Sequence, residues 1–447
     1  MPWILNLVYL LLLVAVSPVL FYRCLFRKKY RTGWSEKLLG RLPLRESDRP
    51  CVWFHAVSVG EVLLLKPIVR ELLARRPDCQ IVISTTTSTG HDVARKHFPE
   101  HTVCYFPLDF SWAVRRAIQR VRPSVIALVE LELWPNFILA ADRAGVPLVL
   151  VNGRISEHSY RGYRRLRPLI RFVLSRFTWL AVQSQTYAER LLNLGAPPSR
   201  TLVTGSVKFD GIQSDRQNAK TEELRRAFGL RDHETIFIAG STHAPEEEIA
   251  LDSWLAVRAR HPELRFILVP RHQERFEEVA QMVQRRGLPL LRRSHCPVTA
   301  SAPRKAHKLH DADSTPPVLL LDTLGELSGC WGLADIAFVG GSLTRRGGQN
   351  MIEPAAYGAA ILFGPNTQNF RDVVDLLLSH RAARVVSDGC ELTRTLQTLL
   401  DDRSQAKTMG RIARELVLSQ QGATVKTVEL LTRVLPPSPN TAGQRAA

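Results

Sequence analysis

From residue 51 onward, short runs of apolar and β-branched residues alternate with longer stretches of helical character. Four of the runs in the first half of the chain read CVWFHAV, QIVISTT, TVCYFPLD and SVIALVE. Strands of a parallel sheet form such continuous apolar runs because helices cover both faces of the sheet. Their alternation with helices of this length indicates βαβ units. The pattern predicts an α/β fold built on parallel sheets.

The alternation stops once and then starts again, which divides the chain. A polar stretch at residues 213–221 lacks apolar periodicity and is typical of a linker. A chain of 447 residues also exceeds the usual size of one domain. We therefore predict two Rossmann-like domains, at residues 32–212 and 213–435. Residues 436–447 are predicted to form a disordered tail, and 294–316 a mobile loop.

The N-terminus is almost entirely apolar from Trp3 to Tyr22 and is followed by a cluster of basic residues. These are Arg23, Arg27, Lys28, Lys29 and Arg31. The apolar segment is just long enough to span a bilayer, and it is equally compatible with a helix lying in the interface. The basic cluster predicts that the following residues are cytoplasmic. Residues 1–31 are therefore predicted to be a membrane anchor with a basic flank.

The charge of the chain predicts an anionic partner. Its formal net charge is +18, which suits nucleic acid, an acidic membrane surface or a phosphorylated substrate. The arginines lack the interleaved stacking aromatics of a nucleic-acid binder, so we expect an anionic membrane surface and no nucleic acid. The seven cysteines are scattered and contain no C-x-x-C pair, so neither a disulfide framework nor a zinc site is indicated.

Polar residues follow several of the apolar runs at points where ligands collect in parallel α/β sheets. HAVSVGE places Glu61 at the start of a helix, where an acidic residue is also a favourable cap. VELELWPN places Glu130 and Glu132 two residues apart, which in a strand puts both on one side. Paired carboxylates of this kind serve acid–base chemistry or stabilise charge, with a cap of the helix that starts at Pro135 as the alternative for one of them. GSVKFD adds Lys208, with a solvated hinge lysine as the alternative.

A glycine-rich stretch, GGSLTRRGGQNMIEPAAYG, covers residues 340–358. Its two Gly pairs follow an apolar strand and precede a helix, an arrangement suited to an anionic ligand group. It matches neither the dinucleotide-binding nor the phosphate-loop pattern. The alternative is a pair of tight turns that need glycine for backbone reasons.

Seven motifs follow one another in a fixed order after the apolar N-terminus: HAVSVGE, VELELWPN, GSVKFD, STHAPEEE, VPRH, DTLGEL and the glycine-rich stretch. In this series the chain resembles the bacterial 3-deoxy-D-manno-octulosonic acid (Kdo) transferases that act on lipid A precursors. A generic two-domain glycosyltransferase would share the architecture but not the series.

The resemblance implies a GT-B fold, in which two Rossmann-like domains face a central cleft, with an N-terminal membrane-anchor helix. It implies an inverting glycosyltransferase of lipopolysaccharide biosynthesis that moves Kdo from CMP-Kdo to the 6′-hydroxyl of lipid IVA. It also implies that no cofactor or metal is needed, and that the enzyme works at the cytoplasmic side of the inner membrane.

The same resemblance implies roles for individual residues. Glu61 would be the general base, and Glu130 and Lys208 would stabilise the transition state. The residues expected to bind CMP are Pro270, Arg271, Leu324, Gly325, Glu326, Asn350, Met351, Ile352 and Glu353. A glutamate that accepts the ribose hydroxyls fits either Glu326 or Glu353.

The sequence departs from the common family pattern at Gln349, at Leu131 and at Ala244-Pro245. These departures concern details of the donor loop and leave the proposed base unchanged. Two alternative functions stay open at this point. One is a GT-B transferase or epimerase that uses a UDP-sugar, and the other is an inactive membrane-bound scaffold on this fold.

Overall fold

The computed structural model describes residues 2–26, 32–296 and 315–437. They form two compact units, one of Met1–Asp210 with Gln420–Ala447 and one of Gly211–Ser419. Residues 27–31 of the predicted basic flank, 297–314 of the predicted mobile loop and 438–447 of the predicted tail lie outside the described residues.

The first unit alternates strands and helices as predicted. Its strands are β1 (Cys51–His55), β2 (Gln80–Thr85), β3 (Thr102–Tyr105), β4 (Val125–Val129), β5 (Leu148–Gly153), β6 (Trp179–Val182) and β7 (Thr201–Val203). Before Gly211 its helices are α1 (Pro2–Phe26), α2 (Trp34–Leu39), α3 (Val59–Arg75), α4 (Ser88–His97), α5 (Ser111–Val121), α6 (Pro135–Arg143), α7 (Glu157–Arg164), α8 (Arg167–Leu174) and α9 (Gln185–Asn193).

The seven strands form one parallel sheet in the order β3-β2-β1-β4-β5-β6-β7. The chain leaves β1 toward one edge and returns at β4 to build the other half. The strand order therefore reverses between β1 and β4, which is the topological switch point where ligands bind in such sheets. Apolar clusters cover both faces: Trp53 lies in one and Phe54 in the other. Their opposite placement follows from the alternation of side chains along β1.

Helix α1 is attached to this unit through polar side chains. Asn6 is buried and its amide donates to Ser111 Oγ at 2.7 Å. Tyr9 donates its hydroxyl to Asp109 at 3.0 Å. Among the described helices, none combines the length and hydrophobicity required to cross a bilayer.

The second unit repeats the architecture. Its strands are β8 (Thr235–Thr242), β9 (Leu264–Pro270), β10 (Leu290–Arg292), β11 (Val318–Leu320), β12 (Ile336–Val339), β13 (Ala360–Phe363) and β14 (Ala383–Val385). Its helices are α10 (Ala219–Ala227), α11 (Glu246–Arg258), α12 (Phe276–Arg285), α13 (Leu327–Cys330), α14 (Ile352–Ala356), α15 (Arg371–Ser379), α16 (Gly389–Asp401) and α17 (Arg403–Ser419). The parallel order is β10-β11-β9-β8-β12-β13-β14, so the switch point lies between β8 and β12.

The last helix, α18 (Ala423–Val434), corrects the predicted domain boundary at residue 435. Val428 and Leu431 of α18 belong to the same apolar cluster as Phe54 of β1. Its N-terminus is fixed by Asp210, whose carboxylate accepts the N–H groups of Gly422 at 2.7 Å and of Thr424 at 2.5 Å. The apolar face of α18 thus completes the first unit, and the second unit ends at Ser419.

Candidate active site

Glu61 lies in the first turn of α3, directly after the loop that leaves β1. Its Oε2 accepts the N–H of Val57 at 2.8 Å, and its Oε1 accepts the hydroxyl of Ser58 at 2.7 Å. Ser58 in return accepts the N–H of Glu61, so the two residues form a capping box. The carboxylate therefore folds back over the N-terminus of the helix, and Glu61 as a whole residue is only 9% exposed.

Glu130 follows the end of β4 with a φ of 59°, in the left-handed region. The extended strand therefore ends at Val129, and the strand alternation used to place Glu130 and Glu132 on one side does not apply. A non-glycine residue in this conformation carries strain, and such strain collects at functional sites. The carboxylate of Glu130 lies 3.8 Å from the guanidinium of Arg154.

Glu132 lies in the same loop. The sequence pattern paired it with Glu130 and predicted no role for it alone. Its Oε2 accepts the indole N–H of Trp134 at 2.9 Å. Burial raises the pKa of Glu132 to about 7, and the negative charges of Glu61 and Glu130 act in the same direction. The first unit thus gathers three carboxyl groups where the loops after β1 and β4 meet.

Lys208 lies on a 3-10 turn, Val207–Phe209, after β7. The N–H of Val207 donates to Oδ1 of Asn152 at 3.1 Å. Asn152 is fully buried and has a φ of 55°. Because Arg154 follows two residues later, the end of β5 contacts both Glu130 and the turn that carries Lys208. The signal in the sequence that could have identified Asn152 was the Asn-Gly pair after the apolar run PLVLV.

His55, the first residue of the HAVSVGE motif, is a core residue. It is fully buried and stacks on Phe106 with ring centroids 3.6 Å apart. Its Nδ1 lies 3.1 Å from Ser84 Oγ. Burial lowers the pKa of His55 to about 3, so the ring is neutral at physiological pH.

In the second unit, the glycine-rich loop after β12 already holds an anionic group of the protein itself. The N–H groups of Gly341, Ser342 and Leu343 donate to the carboxylate of Glu246 at 2.6, 2.9 and 2.8 Å. A fourth N–H, that of His243, donates to the same carboxylate at 2.9 Å. The prediction of an anionic ligand at the first Gly pair is corrected, because the fully buried Glu246 occupies this nest of donors.

Several of the predicted CMP-binding residues lie close together at this edge. Asn350 donates its amide to Oε1 of Glu353 at 2.9 Å and accepts the N–H of Ile352 at 3.0 Å. Burial raises the pKa of Glu353, while the positive charge of Arg271 opposes this shift. Arg271 therefore lies near Glu353, directly after Pro270 at the end of β9. The side chains of Met351 and Ile352 are buried.

The segment Leu324–Glu326 presents a different environment. Leu324 is exposed and Gly325 is in the left-handed region, with a φ of 82°. Both oxygens of Glu326 are engaged: Oε1 accepts from Arg293 at 2.9 Å, and Oε2 accepts the hydroxyl of Thr323. Of the two glutamates proposed for the ribose, Glu353 is the one less committed to protein partners. Across the described ranges, no group of three or more His, Cys, Asp or Glu side chains is arranged to hold a metal ion.

The chain is similar to known proteins over most of its length. Residues 31–211 match the family model described as 3-Deoxy-D-manno-octulosonic-acid transferase (kdotransferase). A 3-deoxy-D-manno-octulosonic acid transferase of Haemophilus influenzae is 32% identical over 382 residues, covering 85% of this chain and 86% of the relative. The protein of that description from Bordetella pertussis is 33% identical over 447 residues, covering 95% of this chain and 98% of the relative.

A solved structure is also similar. The UDP-GlcNAc 2-epimerase from Neisseria meningitidis, bound to UDP-GlcNAc, superposes with a TM-score of 0.57 at 14% identity, covering 86% of this chain and all of the epimerase. At this level of identity the similarity concerns the fold alone.

Proposed function

The chain belongs to the 3-deoxy-D-manno-octulosonic acid transferase family, and on this premise we propose that it moves Kdo from CMP-Kdo to the 6′-hydroxyl of lipid IVA with inversion of the anomeric carbon. It is a glycosyltransferase of lipopolysaccharide biosynthesis with a GT-B fold. The observation that carries the proposal is the identity of about one third with family members over nearly the whole chain.

The donor is assigned to the second unit. Glu353 accepts hydroxyl groups of the ribose, and the guanidinium of Arg271 binds the phosphate of CMP. Met351 and Ile352, together with Leu324–Glu326, complete this site. The nearness of Arg271 to Glu353 supports the assignment. Glu326 is the weaker candidate for the ribose because Arg293 and Thr323 already bind it.

The acceptor is assigned to the first unit. Glu61 takes the proton of the 6′-hydroxyl while that oxygen forms a bond to C2 of Kdo. The bond from C2 to the phosphate oxygen breaks, and its electron pair leaves with CMP. Lys208 and Glu130 stabilise the charges that develop during this exchange. The three carboxyl groups at the switch point and the strained backbone of Glu130 support this placement.

We also propose that the enzyme works at the anionic cytoplasmic face of the inner membrane. Along α1, apolar side chains including Trp3, Leu7, Leu11 and Val14 are exposed. An apolar helix surface of this kind suits the interface of a bilayer, and the net charge of +18 suits anionic lipids. Catalysis is proposed to need neither metal nor cofactor.

The experiment supplies CMP-Kdo and lipid IVA to the full chain in the presence of a chelator and weighs the lipid product by mass spectrometry. We expect a mass increase of one or more Kdo units and thermal protection by CMP rather than UDP. Protection by UDP without Kdo transfer would favour the UDP-sugar alternative. Protection by CMP and lipid binding without turnover would favour the inactive scaffold.

A further inference from the structure

Glu132 is a partly buried carboxyl group that the proposed reaction does not use, and it lies at the switch point of the first unit. Strands β1 and β4 are hydrogen-bonded neighbours in register, with His55 opposite Leu128. The loops that leave their carboxyl ends therefore meet at one edge of the sheet. One loop leads to Glu61, and the other carries Glu132.

Glu132 is flanked by apolar side chains and has few polar neighbours. Leu131, Leu133 and Trp134 pack against the core of the first unit. Trp134 also donates its indole N–H to the Glu132 carboxyl at 2.9 Å. Burial raises the pKa of Tyr163 of α7, and the nearby charge of Glu132 adds to this shift. The charged groups that act on Glu132 are Glu61 of α3 and Glu130 of its own loop.

Glu61 is held in one place by its own loop. Its two oxygens accept hydrogen bonds from Val57 N–H and Ser58 Oγ. The loop that carries Glu132 can add charge beside this fixed carboxylate, because the loops after β1 and β4 meet at one edge of the sheet.

We propose that Glu132 is a positioning residue of the transfer reaction, whose ionised carboxylate sets a negative charge beside Glu61 and thereby strengthens Glu61 as the acceptor of the hydroxyl proton. The inference rests on the proposed Kdo transfer. In the reacting step, the O–H bond of the acceptor breaks and its proton moves to Glu61. The acceptor oxygen bonds to C2 of Kdo, and CMP leaves with the electron pair of the broken bond. Glu132 contributes charge and exchanges no atom.

The titration of Glu132 sets the sign of the pH dependence. Its pKa is about 7, so it is largely protonated and uncharged below that pH and ionised above it. The ionised form is the one that strengthens Glu61. The acid side of the profile of kcat/KM, which reports the free enzyme, should therefore rise through about pH 7.

The first test compares pH profiles of the full chain carrying Glu132→Gln, Glu132→Asp or Trp134→Phe with that of wild type. Glu132→Gln should lower kcat roughly tenfold above neutral pH, leave KM unchanged and remove the rise near pH 7. Glu132→Asp should keep the rise and recover most of kcat.

Trp134→Phe should shift the rise in the pH profile to higher pH. The ionised form of Glu132 loses a hydrogen-bond donor in this variant, so the pKa of Glu132 increases. Two outcomes overturn the inference: unchanged kcat in Glu132→Gln, or a reduced kcat whose pH profile keeps the rise of wild type. The second outcome is the signature of a purely structural role.

An infrared titration of the unliganded protein separates this inference from the proposed function. The difference between the spectra of wild type and Glu132→Gln should contain the carbonyl band of a protonated carboxyl, and this band should disappear as the pH passes about 7. If the band titrates but wild type transfers no Kdo, the proposed function fails. If wild type transfers Kdo but no such band titrates, the role of Glu132 fails.

Discussion

Glu61 and Glu246 occupy the same place in their respective units, at the start of the helix that follows the central strand on one side of the switch point. Each accepts one backbone N–H group from the loop before its helix, that of Val57 or that of His243. Glu246 is fully buried and its four donors are all backbone N–H groups. Glu61 accepts one N–H and one hydroxyl and lies close enough to Glu132 to affect its titration.

A capping geometry alone does not reveal what a glutamate does. The donors around Glu246 fix the glycine-rich loop to α11, so that carboxylate is part of the framework. Near Glu61, the loop after β4 adds the carboxyl groups of Glu130 and Glu132, and burial together with the neighbouring negative charges raises the pKa of Glu132. The difference lies in the neighbouring loops and not in the glutamates themselves.

The largest expected effect on stability is that of Glu246→Ala. The substitution leaves four buried N–H groups without their acceptor, and each such donor costs roughly 1–3 kcal/mol. We expect the free energy of unfolding of the second unit to fall by at least about 3 kcal/mol in denaturant titrations. Glu248→Ala, an exposed position in the same turn, is the matched control. Equal stability of the two variants would remove the framework role of Glu246.

Asn152→Gly tests how the first unit positions Lys208, and a smaller effect is expected here, on kcat. Asn152→Gly keeps the left-handed backbone available but removes the acceptor of Val207 N–H. We expect kcat to fall roughly ten- to hundredfold, because misplaced catalytic groups lose rate steeply. Arg122→Gly, at another left-handed residue of this unit, is the control and should keep kcat. A kcat in Asn152→Gly equal to that of the control would contradict the positioning of Lys208 by Asn152.

The smallest change in stability is expected for Ser58→Ala, which tests the capping box. Ser58→Ala removes the N-cap and one of the two hydrogen bonds to Glu61. The free energy of unfolding should fall by about 1 kcal/mol. Kdo transfer at neutral pH should not fall, because Val57 N–H still holds the carboxylate of Glu61 in place. A tenfold loss of transfer in this variant would mean that Glu61 needs the hydroxyl of Ser58 for its function.

The fold could be predicted from the sequence because its signal is local. The apolar runs of β1, β4, β8 and β12 are continuous, and the helices between them have the expected length. The last helix was assigned to the wrong unit because its partners, Phe54 among them, are hundreds of residues away in sequence. Apolar periodicity identifies a helix but does not say which core buries it.

The site was predicted in part. Family motifs identified Glu61, Glu130, Lys208 and the donor segments, and the functional roles of these residues remain predictions. The left-handed backbone of Glu130 and the occupation of the glycine-rich loop by Glu246 depend on tertiary contacts that no local pattern contains. The elevated pKa of Glu132 likewise arises from burial and from charges on other elements.

The most direct test of proton transfer by Glu61 is the single-turnover rate of Kdo transfer by Glu61→Gln at saturating CMP-Kdo and lipid IVA, with CMP binding measured on the same sample. Glutamine also fits a capping box, so the variant should fold and bind CMP as wild type does. We predict a rate roughly 100- to 10,000-fold lower, the usual contribution of a general base. A rate equal to that of wild type would show that Glu61, like Glu246, serves only the framework.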